Sequence, residues 1–180
     1  NFKLDREQTR LLLQESNRAY NTEINDLLLT ALAYTLAEIT KNNTNHIILE
    51  GHGREEIDCS LDITRTVGWF TTMYPVRLEI SEELGDSIRS IKESLRQIPN
   101  KGIGYGALIG YKNKKLPKVS FNYLGQFDTQ EGIWQITEES VGNSISEVNE
   151  DYHIININGL IINGKLKFSI TSKLENNVID

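Results

Sequence analysis

Apolar residues recur along the first forty positions at the three- and four-residue intervals of a helix. In "DREQTRLLLQESNRAY", Asp5 to Tyr20, the residues Leu12, Leu13, Ala19 and Tyr20 fall on one side, and Asp5 with Gln8 makes an N-cap pattern, which predicts a first helix. "NTEINDLLLTALAYTLAEITKNN" predicts a second, with Thr22 as N-cap, Glu23 and Asp26 in the first turn, and Ile24, Leu27, Leu28, Ala31, Leu32, Leu36 and Ile39 as its stripe. It runs to about Lys41. His46 to Gly51 reads as a buried strand, and Thr71 to Glu79 as another, placed at an edge or a bulge by Pro75. Ser81 then caps an amphipathic helix whose Leu84, Ile88, Ile91, Leu95 and Ile98 form one stripe before Pro99 stops it.

The pattern changes period near the C-terminus. "KVSFNYLG" is a short strand ended by Gly125, with Asn122 and Tyr123 facing opposite ways. "YHIININGLIINGKLKFSIT" is a hairpin turning at Asn163-Gly164. Pairing outward from that turn sets Ile161 opposite Leu166, Gly159 opposite Phe168 and Ile157 opposite Ile170. Residues 126 to 151 form a long acidic connection of weak periodicity, of the length that covers a site or grips a neighbour. The order helix, helix, strand, strand, helix, strand, hairpin predicts an α/β layered domain with a mixed β-sheet.

Composition narrows the function. At 180 residues, 38% hydrophobic and 24% charged, the chain suits one globular domain. A net charge of −6 argues against a nucleic-acid partner. The apolar runs are too short to span a bilayer, and nothing resembles a signal peptide, so the sequon at Asn42 implies no secretion and the expected location is cytoplasmic. Cys59 is the only cysteine, which excludes an internal disulfide. The only methionine is Met73, so Asn1 is expected to follow further chain.

Candidate chemistry concentrates in "IILEGHGREEID", where an apolar strand runs into Glu50, His52 and Arg54 between glycines. Glu50 has two readings: an ion pair with Arg54 or His52 that closes a strand end, or a carboxyl desolvated in a cleft until it can carry a proton. His46, His52 and His153 read singly as packed or surface histidines, and no spacing makes a metal site. Gly102-x-Gly104-x-x-Ala107 follows a helix and not a strand, so it reads as a flexible loop and not a dinucleotide fingerprint. Ser60 and Ser120 have no partnered base nearby in sequence. Lys112, Lys114, Lys115 and Lys118 form a basic run, either a solvated face or a site for an acidic partner or phosphate.

Taken together, "EINDLLLTAL", "EGHGRE", "DITRTVGWFTTMYPV", "GIGYGAL" and "FNYLGQF" occur in the order and at the spacing of blocks in nonribosomal peptide synthetase epimerization domains, and the chain resembles that family over nearly its whole length. The resemblance implies one lobe, the C-terminal, of the two-lobed chloramphenicol acetyltransferase-like fold, occupying 1–180. The N-terminal lobe, with its paired histidines, and a final C-terminal helix would then be absent. It implies an isomerase that exchanges L and D configuration at the α-carbon of an aminoacyl or peptidyl thioester. The substrate would arrive on the 4'-phosphopantetheine arm of a carrier domain, with no cofactor bound by this domain. Glu50 would be one acid/base, Tyr123 a proton donor or oxyanion stabiliser, and Asn122 an ordering group. His52, Arg54 and Trp69 would line or brace the site, with Arg54 pairing to an aspartate of the absent lobe. The isolated lobe is expected to be inactive. A peptide-bond-forming condensation lobe and a non-catalytic carrier-docking module are the alternatives.

Overall fold

In the first helix Gln8 N–H donates to Asp5 Oδ1 at 2.8 Å and Asp5 N–H donates to Gln8 Oε1 at 3.2 Å, so the reciprocal cap holds. The chain does not continue unbroken to Tyr20. α1 (Arg6–Gln14) closes at Glu15, and α2 (Ser16–Tyr20) closes at Asn21, whose φ of 50° is left-handed. α3 (Ile24–Thr40) starts one residue later than predicted because Glu23, not Thr22, takes the cap, its N–H donating to Asp26 at 2.8 Å. The computed structural model describes residues 2–58, 60–110, 116–127, 142, 146 and 148–174. Cys59, Lys112, Lys114, Lys115 and most of the 126–151 connection lie outside the described residues.

The apolar stripe of α3 is also rotated from the expected one. Leu29, Ala33 and Ala37 are buried with Leu28 and Leu36, whereas Ala31 and Ile39 are exposed, because α3 packs against strands on one side and against α4 (Leu84–Arg96) on the other. α4 begins after Glu83. The predicted cap Ser81 instead engages Ser87, its N–H donating to Ser87 Oγ at 2.9 Å, and Leu84 is exposed while Ile88 and Ile91 carry the buried stripe. Beyond the turn Pro99–Gly102 the expected flexible loop contains a short helix, α5 (Tyr105–Ile109).

Six strands form one mixed sheet: β1 (Phe2–Lys3), β2 (Thr44–Gly51), β3 (Thr72–Glu79), β4 (Val119–Phe127), β5 (Ile155–Ile162) and β6 (Lys165–Ser172), in the order β1-β6-β5-β4-β2-β3. The central β2-β4 and β4-β5 pairs are parallel and the flanking pairs antiparallel. β3 is an edge strand, as Pro75 requires. The hairpin has the predicted register, with Ile161 opposite Leu166, Gly159 opposite Phe168 and Ile157 opposite Ile170. Its two turn residues, Asn163 and Gly164, both have positive φ (52° and 70°), the requirement of the tight hairpin turn that matches strand twist. Gly159 has a packing reason of its own: a Cβ there would come within 2.4 Å of the Phe168 ring. Gly125 does not end β4. It has a φ of 96°, and the register with β5 shifts between Tyr123 and Gln126 before pairing resumes to Phe127.

Alternation then sorts side chains by face. Ile47, Leu49, Tyr74, Val76, Phe121, Ile157, Ile161 and Leu166 meet the helices and form the core with Leu28, Leu29, Leu36 and Ile91. The register puts Ile48, Glu50, Ser120, Asn122, Asn156 and Asn158 on the opposite face.

Candidate functional site

β2 delivers Glu50 to the face turned away from the helices, and its parallel neighbour β4 delivers Asn122 to the same face. Asn122 Nδ2 donates to Glu50 Oε2 at 2.9 Å. Both side chains are half-buried. Burial raises the pKa of Glu50 above the ordinary glutamate value, and the charge of nearby His153 pulls it partly back. A carboxyl held in this way can in chemical terms take up or give a proton: water does not fully stabilise its anion, and an amide donor fixes its orientation.

The other residues singled out in the sequence are placed differently. Tyr123, next along β4, is partly buried against the core on the helix side, so the strand that presents Asn122 beside Glu50 turns the Tyr123 ring away from that face. His52 is 64% exposed in its side chain and faces Glu55, with Nε2 to Oε1 3.1 Å, while its Nδ1 accepts the Arg54 N–H at 3.0 Å. The ion pair imagined between Glu50 and either His52 or Arg54 is replaced by the bond to Asn122. Trp69 is 92% exposed.

Arg54 has local partners that sequence reading missed. Its Nη1 donates to Ile63 O at 2.8 Å and its Nη2 to Thr66 O at 2.9 Å, with Gly68 O at 3.4 Å and the guanidinium 4.2 Å from the centre of the Phe70 ring. The planar fork pins the loop between β2 and β3 through its carbonyls. Gly53 makes this possible: at φ 66° it packs so closely that a Cβ would lie 1.6 Å from Phe70 O. Gly53→Ala is expected to displace the loop and cost about 1–3 kcal/mol, seen as a lower Tm and faster proteolysis within residues 54–70. An unchanged Tm and cleavage rate would show that the loop is not locked there.

A second polar group shares the Glu50 face and carried no recognisable signal. Ser120 Oγ donates to Asn156 Oδ1 at 2.5 Å, Asn156 Nδ2 donates to Asp151, and Asp151 Oδ1 lies 3.3 Å from His153 Nδ1. Asp151, His153 and Asn156 are near neighbours in sequence, and the parallel β4-β5 register, with Ser120 opposite Asn156, joins Ser120 to them. A cavity of about 260 Å³ lined by Asn25, Asp26, Leu49, Tyr74 and Arg96 lies on the helix side, across the sheet from Glu50. Among the described residues no cluster of three or more His, Cys, Asp or Glu side chains is arranged to hold a metal ion, and no helix is long and apolar enough to cross a membrane.

Comparison with known proteins matches residues 1–175 to the family described as "Condensation domain". The chain belongs to the condensation domain family. Condensation-family relatives include Bacitracin synthase 3 of Bacillus licheniformis, 47% identical over 180 residues (94% of this chain, 3% of the relative), and Gramicidin S synthase 1 of Brevibacillus brevis, 45% identical (92% of this chain, 17% of the relative). The chain thus spans a small fraction of the length of these curated relatives. Among solved structures, the epimerization domain from the third module of tyrocidine synthetase B superposes with a TM-score of 0.88 at 39% identity, covering 99% of this chain and 43% of that one. The X-domain from teicoplanin biosynthesis, 14% identical with a TM-score of 0.66, shares the fold. The mixed sheet with its helices is therefore a chloramphenicol acetyltransferase-like arrangement in a condensation-superfamily domain of the nonribosomal peptide synthetase kind.

Proposed function

We propose that this chain supplies the carboxylate half of an epimerization site acting on an aminoacyl or peptidyl group held as a phosphopantetheine thioester by a carrier domain. The observation that carries the reading is the half-buried Glu50, oriented by Asn122 on the face of the sheet opposite the helices. Glu50 takes the α-proton as the C–H bond breaks, and the electron pair passes into the thioester carbonyl. An acid on the other face of the substrate returns a proton to carbon. On this reading that second group is a histidine of the other lobe of the two-lobed fold. Two acid/bases on opposite faces invert the centre, whereas one alone exchanges the proton without inversion.

The 39% identical epimerization domain favours this reading over peptide-bond formation. Asn122 has an ordering role through its bond to Glu50. The proton-donor role implied for Tyr123 draws no support from a ring packed on the helix side, so acid/base work rests here on Glu50.

The test uses the parent polypeptide that carries this chain, its carrier domain loaded with an α-deuterated aminoacyl thioester. Loss of deuterium to water, with both configurations recovered on hydrolysis, is the expected result. Retained deuterium together with a new amide to a second carrier-bound acceptor would instead identify a peptide-bond-forming transferase.

A further inference from the structure

β5 lies inside the sheet, between β4 and β6, and alternates Ile155, Asn156, Ile157 and Asn158. Carboxamides are poor guests in an interior strand, where β-branched and aromatic side chains do better, so each needs a reason to be there. Asn156 has one, because it accepts from Ser120 Oγ and donates to Asp151. Asn122 has one in its bond to Glu50. Asn158 has none of this kind: its side chain is exposed, and among the described residues its carboxamide makes no hydrogen bond. Register fixes where it stands. Asn158 pairs with Asn122 in the parallel β4-β5 ladder, Leu49 pairs with Phe121 in the β2-β4 ladder, and the next residues along those two strands, Glu50 and Asn122, are joined by the 2.9 Å bond. Glu50, Asn122 and Asn158 therefore form one row across three adjacent strands, on the face opposite the helices. At the usual strand spacing, Glu50 and Asn158 rise from backbone positions about 10 Å apart. The Glu50 carboxyl leans along this row toward Asn122, and the remaining gap has the size of an α-carbon bonded to a carbonyl, with about 3 Å of contact at each end.

We infer that Asn158 is a catalytic residue of the α-proton exchange: its Nδ2 donates a hydrogen bond to the thioester carbonyl oxygen of the substrate while Glu50 takes the proton from the adjacent carbon. This rests on the acid/base reading of Glu50. As the C–H bond breaks, its electron pair moves into the carbonyl and the oxygen becomes enolate-like. When a proton returns to carbon the pair moves back, and Asn158 keeps its own hydrogens throughout. A donor carried on a strand of the sheet meets that transient charge without having to reorganise, which is where such donors gain their effect. The neighbouring side chains are spent elsewhere: the Tyr123 ring is packed on the helix side, Asn122 is committed to Glu50, and Asn156 to Ser120 and Asp151. Asn158 is the carboxamide of this face left with its donors undirected.

The experiment measures the first-order rate of α-deuterium loss from the loaded carrier domain of the parent polypeptide under single-turnover conditions. Wild type is compared with Asn158→Leu, Asn158→Asp and Glu50→Gln, and Tm is followed alongside. Asn158→Leu removes the donor at nearly constant size and is expected to slow exchange by about a hundred- to a thousand-fold with Tm little changed. Asn158→Asp puts an acceptor and a negative charge beside the developing enolate oxygen and is expected to be at least as slow. Asn158→Ala replaces the leucine variant should that fail to fold. A folded leucine or alanine variant slowed by less than about tenfold overturns the inference. So does an aspartate variant faster than the leucine one, which would mean that polarity and not a donated hydrogen matters at this position. Glu50→Gln separates the two levels. If it retains exchange, the acid/base reading fails and this inference with it; if it loses exchange while the Asn158 variants keep theirs, only the inference fails.

Discussion

Glu50→Gln in the parent polypeptide is expected to lower α-proton exchange by about a hundred- to ten-thousand-fold while raising the stability of the fold at neutral and alkaline pH. The loss follows from chemistry: glutamine has nearly the same shape and still accepts the Asn122 N–H, but it cannot take a proton from carbon. The gain follows from linkage. Folding raises the pKa of Glu50 through desolvation, so the folded state disfavours its anion relative to the unfolded chain. That penalty is present in full above the folded-state pKa and disappears as the pH falls below the unfolded value. Tm of the variant should therefore exceed that of wild type at about pH 8 and converge with it near pH 4. Exchange retained in the variant would remove Glu50 from the reaction; a Tm difference independent of pH would remove the desolvation argument.

Phe121→Ala is expected to cost about 3–5 kcal/mol, a large part of the roughly 5–15 kcal/mol that a domain possesses. Phe121 is 2% exposed on a central strand, with its ring 6.1 Å from that of Phe168 and its backbone paired to both β2 and β5. β4 is also the strand that presents Asn122 to Glu50. Urea denaturation would show the loss as a lower midpoint with an unchanged slope. A midpoint within about 0.5 kcal/mol of wild type would mean that the core repacks freely around this position.

What the sequence made legible divides by the range of the interactions. The β5-β6 register could be read because two residues, Asn163 and Gly164, close the turn and everything else counts outward from them. Glu50 stood out as a candidate because an apolar strand ends there on a carboxylate followed by glycine. The helix starts shifted by one or two residues, as at Thr22 and Ser81, because neighbouring carboxylates and hydroxyls compete for the same amides. The parallel pairing of β2, β4 and β5 was out of reach: β2 ends at Gly51 and β4 begins at Val119, with no turn to set the register. For that reason the contact of Asn122 with Glu50, the turning away of Tyr123 and the placement of His153 had to come from the structure. The carbonyls that hold Arg54 belong to any residue type and leave no mark in a sequence.

Pro75 has a consequence outside the site. β3 is the long outer border of the sheet, and β1 at the other border is only two residues. A stray extended peptide seeking to zip onto β3 would meet a ring where a donor should be, near the middle of its eight residues. The border is broken into two short stretches, neither long enough to seed a growing cross-chain ribbon, and the sheet stays finite.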